Sequence, residues 1–121
     1  MQELLLQYQK LKSGANFNFL EEEAFERIID YYDENEQLNL ALEAAECGIR
    51  QFPFSSLLLV KKADLLIASH HFDSALEILD QASVLDSSDI NIYILRIDAW
   101  LGLNNLEKAK QLYQSSLNLF E

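Results

Sequence analysis

Apolar positions along this chain recur at helical spacing in paired segments, and the pairs repeat. Phe25, Ile28, Ile29 and Tyr32 fall on one helix face, and Leu38, Ala41, Leu42, Ala45 and Ile49 fall on a second, with Glu36 and Gln37 marking the turn between them. The same arrangement returns as Leu59, Ala63 and Leu66, a turn at His70 and His71, then Phe72, Ala75, Leu79 and Ala82. It returns again as Tyr93, Ile97 and Trp100, a turn at Asn104 and Asn105, then Leu106, Ala109, Tyr113 and Ser116. The interval is 34 residues: Ala41, Ala75 and Ala109 keep it, and so do Asp30, Asp64 and Asp98. A fixed period of that length with helical patterning inside it predicts a stacked array of helix pairs. Ahead of the array, Leu4, Leu5, Tyr8 and Leu11 predict a short helix ended by Ser13 and Gly14. On the same frame it falls in the second-helix half of an earlier, degenerate unit, but Gln7 stands where the later units have alanine, so it reads rather as an atypical terminal element covering the first face of the stack.

The punctuation agrees with this frame. Asn16 to Phe19 reads as a linker, Asn18 with Glu21 resembles a capping box, and Glu21, Glu22 and Glu23 suit the positive end of a helix dipole. Pro53 ends the second helix of the first pair. Ser55 or Ser56 caps the next pair, and Ser87, Ser88 and Asp89 supply caps for the last. Asn104 tolerates the left-handed conformation that such a turn requires. The expected division is therefore 1–21 for the leading helix and linker, then units at 22–55, 56–89 and 90–121.

Composition narrows the possibilities. At 121 residues the chain has material for one domain's core, and with three Gly and one Pro it is too poor in turn residues for an all-β fold. Twenty acidic against nine basic residues give a net charge of -11, which disfavours nucleic acid and anionic membrane surfaces. The acidity admits a cationic partner and equally serves solubility. Cys47, the single cysteine, has no partner for an internal disulfide, which fits a reducing, cytoplasmic location. Neither a secretory leader nor a membrane span is visible.

Laid out in columns, Glu22 to Glu121 resembles the tetratricopeptide repeat (TPR) family. The twentieth place of each unit is Ala41, Ala75 and Ala109, the twenty-seventh is the small Gly48, Ala82 and Ser116, and the large fourth and eleventh places are Phe25 with Tyr32, Leu59 with Leu66, and Tyr93 with Trp100. Pro53 matches the family's proline, whereas Ser87 and Glu121 do not. Ile29 and Ile97 depart from a small eighth place kept by Ala63, and Lys62 and Arg96 occupy a place usually apolar. The resemblance implies an all-α fold, a right-handed α-solenoid of three helix pairs plus the N-terminal helix. It also implies a concave wall, lined by the first helix of each unit, that holds a partner's peptide or helix.

By that resemblance the groove carries Glu23, Glu26, Arg27, Asp30, Asp33 and Glu34 in the first unit. In the second it carries Leu57, Val60, Lys61, Asp64, Ile67 and Ala68, and in the third Asn91, Ile94, Leu95, Asp98, Leu101 and Gly102. The wall is acidic at its first end and increasingly apolar toward its last, so the expected partner has a basic segment and an apolar one. An exposed charge pair contributes about 0–1 kcal/mol, so affinity would rest on the apolar places near Ile67, Ile94 and Leu101. The alternative is a solvated acidic face whose Asp30, Asp64 and Asp98 pair with Lys62 or Arg96 of a neighbouring unit. Family members that grip the carboxylate of heat-shock chaperone tails use Lys, Arg and Asn at groove places. With Arg27 and Lys61 as the groove cations, that role is not expected here.

Chemistry is not expected. His70 and His71 are adjacent and point apart on a helix, so they make a poor metal site. Cys47, beside Glu46 and without a basic sequence neighbour, reads as unreactive. Nucleophile-elbow, phosphate-loop and zinc-protease motifs are missing, and Trp100 and the tyrosines fall on packing columns. The reading is a non-enzymatic protein-interaction module without cofactor or metal. The rivals are a regulatory appendage of a longer multi-domain protein and a self-associating structural part, a homodimer through the C-terminal end, where Leu112, Leu117, Leu119 and Phe120 leave apolar surface.

Overall fold

The structure is a computed structural model and describes residues 1–14 and 19–120. The described residues form seven α-helices and no strand: α1 (Gln2–Lys12), α2 (Glu22–Glu34), α3 (Leu38–Gln51), α4 (Ser56–Ala68), α5 (Phe72–Leu85), α6 (Ile90–Gly102) and α7 (Leu106–Phe120). The helices α2, α4 and α6 begin at Glu22, Ser56 and Ile90, and α3, α5 and α7 at Leu38, Phe72 and Leu106, each start 34 residues after its predecessor. The sequence period is thus a period of backbone geometry.

The turn inside each pair has one construction. Glu36, His70 and Asn104 take φ values of 59°, 63° and 60°. Around them the amides of Gln37, His71 and Asn105 each donate to the carbonyl five residues back, Tyr32, Leu66 and Trp100, at 2.8 Å. The amides of Glu36, His70 and Asn104 donate three residues back at 3.0 Å. This is the Schellman arrangement, which satisfies the last carbonyls of the first helix and reverses the chain. At the start of α4 the Ser55 hydroxyl accepts from the Leu58 amide at 3.2 Å, and at the start of α6 the Asp89 carboxylate accepts from the Asn91 amide at 2.9 Å. Glu21 precedes α2 without a side-chain cap bond. The capping box expected from Asn18 lies outside the described residues.

The helices gather into two compact units, Met1–Pro53 with α1 to α3 and Phe54–Glu121 with α4 to α7. In the first, Phe25, Ile28, Ile29, Ala41, Ala44 and Ala45 are buried where α2 meets α3. Phe52 meets the rings of Phe25 and Phe19 edge-on. The helix α1 is fastened by Tyr8, which is 1% exposed, and by an ion pair from Lys12 to Glu43. In the second unit α4 packs against both α5 and α6, α5 against α6, and α6 against α7. The small columns permit this approach: Ala63, Ala75 and Ala82 are fully buried, and Gly102 leaves room for the Phe72 ring, which a Cβ there would meet at 2.4 Å.

Two expectations about inward positions fail on α7. Leu106 and Tyr113 lie in the apolar pattern yet are 66% and 55% exposed. Helical periodicity tells which face of α7 is apolar but says nothing about whether a further layer covers it.

Candidate peptide-binding face

The first helix of each pair carries the residues expected to contact a partner, and the structure places them as follows. On α2, Glu23, Arg27, Asp33 and Glu34 are exposed while Glu26 and Asp30 are half-buried. On α4, Asp64 is exposed and Val60, Lys61 and Ile67 are half-buried. On α6, Ile94, Asp98 and Leu101 are exposed and Leu95 is half-buried. Since α4 and α6 pack directly on one another, their positions come together on neighbouring helices within the second unit. The positions on α2 form an acidic stretch of the first unit.

The α4 and α6 residues offer a partner chiefly apolar surface. Ile94 and Leu101 are 48% and 45% exposed, and Leu57 is exposed at the start of α4. Full burial of such a side chain is worth about 1.5–3 kcal/mol, more than an exposed charge pair supplies. The charges are partly engaged: Glu26, Asp30, Lys61 and Asp64 each already interact with a neighbour in the protein. The alternative gave these aspartates Lys62 or Arg96 of a neighbouring unit as partners, and Lys62 likewise already interacts with a neighbour. Arg96 instead reaches from α6 to α5, donating to Asp80 Oδ1 at 2.8 Å and to Ser83 Oγ at 3.1 Å. That contact explains how a cation occupies a usually apolar place. It lies beside Trp100, whose ring is covered by Lys108 with Nζ 4.3 Å from the centroid.

Hollows lie elsewhere as well. In the first unit a cleft of about 420 Å³ is lined by Leu11, Lys12, Glu43, Cys47, Arg50 and Gln51. Its thiol is not without a basic neighbour, as sequence adjacency implied: Arg50, one turn further along α3, donates to Cys47 Sγ at 3.0 Å. Burial first, and next the Cys47 thiol that its hydroxyl faces at 4.0 Å, push the Tyr8 phenol above the ordinary tyrosine value. In the second unit a markedly apolar cleft of about 310 Å³ opens between α6 and α7, with Ile90, Tyr93, Ile94, Tyr113, Leu117 and Phe120 in its walls.

Metal-ligating residues do not converge: among the described residues no three of His, Cys, Asp and Glu are placed to hold an ion. His70 is a turn residue whose ring meets Phe72 edge-on, and His71 shares a 2.8 Å hydrogen bond with Ser69. No helix among the described residues is long and apolar enough to cross a membrane.

The same helix arrangement is found in solved structures. The first TPR domain of human RPAP3 superposes with a TM-score of 0.76, at 22% identity over 82% of this chain and 78% of that one. The Arabidopsis OM64 TPR domain gives 0.75, at 17% identity over 82% of each chain. The first TPR of Spaghetti (RPAP3), bound to the HSP90 peptide SRMEEVD, gives 0.75 at 22% identity over 82% of this chain and 80% of that one. No family model matches the chain, and no curated protein matches it. The chain therefore has the fold of TPR domains, an all-α helical solenoid.

Proposed function

We propose that the chain is a non-enzymatic protein-interaction module in which three two-helix repeats, 22–55, 56–89 and 90–121, present their first helices to a segment of a partner protein. The observation that carries this reading is the exposure of Ile94 and Leu101 beside α4, on helices whose opposite faces are buried. Exposed apolar side chains grouped on one face are a common feature of recognition surfaces. The fold neighbours support it, since one of them holds a peptide.

The partner chemistry differs from that neighbour's. SRMEEVD is acidic, whereas α2 offers Glu23, Glu26, Asp30, Asp33 and Glu34 with Arg27 as its cation. We assign instead a segment with lysine or arginine for the α2 carboxylates and leucine- or isoleucine-like side chains for Val60, Ile67, Ile94, Leu95 and Leu101. Asp64 and Asp98 steer its approach. A cytoplasmic setting belongs to the same proposal, as does the role of α1 as a cover. A second reading, self-association through the C-terminal end, is favoured by the exposed apolar residues of α7.

The test is a calorimetric titration with a basic–apolar peptide and, separately, with SRMEEVD. The basic–apolar peptide should bind, Leu101→Asp should weaken it about tenfold or more, and raised salt should slow association more than it lowers affinity. Preference for SRMEEVD, or indifference to Leu101→Asp, contradicts the proposal.

A further inference from the structure

The apolar cleft between α6 and α7 has a counterpart inside the same unit, and the counterpart is filled. Counting 34 residues back from Tyr113, Ser116 and Leu117 gives Leu79, Ala82 and Ser83 on α5. There Leu79 and Ala82 are fully buried, because α6 lies against both α4 and α5. On α7 the same places are left open, with Tyr113 55% and Leu117 41% exposed, and Tyr93 and Phe120 form a 5.5 Å edge-on ring contact at the wall. The scaffold accordingly fits a helix here, as it does one repeat earlier.

Charge permits a second copy here. The chain carries -11, but the excess sits mainly on α2, α5 and the connecting segments. As α1 and α4 do, the helices α6 and α7 escape it. They hold Arg96, Lys108 and Lys110 against Asp98 and Glu107, a balance of +1, and from Gln111 to Phe120 no residue is charged. On α7 itself, Tyr113, Leu117 and Phe120 stand at i, i+4 and i+7, one apolar stripe. This helix both walls a cleft and carries the side chains to fill another, the self-complementarity a two-fold interface requires.

We propose that the α6–α7 cleft is a homodimerisation surface in which α7 of a second copy lies across Tyr93, Ile94, Tyr113 and Leu117 of the first, and reciprocally. It deepens the self-association reading and does not depend on the peptide-binding one. The two share Ile94 and otherwise use different side chains.

Sedimentation equilibrium of the whole chain between about 10 µM and 1 mM, where small interfaces associate, tests it. The mass should rise from 13.9 kDa towards twice that value. Leu117→Lys should weaken association about tenfold or more by placing a charge in the apolar contact, whereas Leu106→Lys, on the same helix but outside the cleft, should not. A monomer throughout, or a dimer indifferent to Leu117→Lys, overturns the proposal. Concentration-dependent amide shifts of the unmutated chain give a readout independent of any variant's folding. They should centre on Ile90, Ile94, Tyr113 and Leu117, and shifts centred elsewhere would also overturn it.

Discussion

The hairpins α4–α5 and α6–α7 are built to one pattern and end in different states. Both reverse through a Schellman turn at equivalent residues, His70 and Asn104, and both set an alanine, Ala75 or Ala109, where the second helix meets the first. What separates them is the next layer. The α4–α5 pair is covered by α6, and its Leu79 is buried completely. The equivalent Tyr113 of α7 remains mostly exposed. A helix pair has an apolar side it cannot bury alone, so the status of each column is decided by the neighbour it meets.

Replacement of the paired residues gives the largest expected difference. Leu79→Ala should cost about 3 kcal/mol in urea unfolding, from lost transfer energy and a residual cavity. Tyr113→Ala should cost under about 1 kcal/mol, since an exposed side chain leaves no cavity. Equal losses would break the comparison.

The first unit supplies α1, a helix outside the three pairs, to set beside this. Its anchor, Tyr8, is buried as a neutral phenol, and that burial pushes its pKa above the ordinary tyrosine value. A raised pKa means that its contribution is present below the unfolded tyrosine value and is lost as pH rises beyond it. Denaturation midpoints should therefore hold up to about pH 10 and fall above it. Tyr8→Phe should flatten that alkaline limb, and an unchanged limb in Tyr8→Phe would show that α1 is held by something else.

The turns should give the smallest effect. Glu36 and His70 bear side chains in the left-handed region, where most L-residues are strained and asparagine much less so. Glu36→Gly and His70→Gly should each stabilise by up to about 1 kcal/mol, while Asn104→Gly should be near neutral. Thermal midpoints measure the contrast.

These comparisons also mark what was legible in the sequence. The helix pairs, the turns and the alanine columns followed from periodicity, because a 34-residue repeat constrains local geometry and packing together. Burial of Leu58, Leu65, Ile92 and Ala99 was missed, although each is small or apolar and belongs to the first helix of its pair. Their columns face a neighbouring element, which the pattern of a single helix does not reveal. The Arg96–Asp80 pair spans two helices and the Lys12–Glu43 pair joins α1 to α3, so neither could be read from neighbours in the chain. Arg50 beside Cys47 could have been read, since three residues along a helix is one turn. For the proposed peptide-binding face, the family resemblance supplied the positions and the structure supplied their exposure.

Amide shift mapping with a labelled chain and a basic–apolar peptide addresses the central proposal most directly. The account predicts saturable shifts at Val60, Asp64, Ile67, Ile94, Leu95 and Leu101, with α2 responding to the basic end. Shifts confined to Tyr113, Leu117 and Phe120, or no shifts at millimolar peptide, would contradict it.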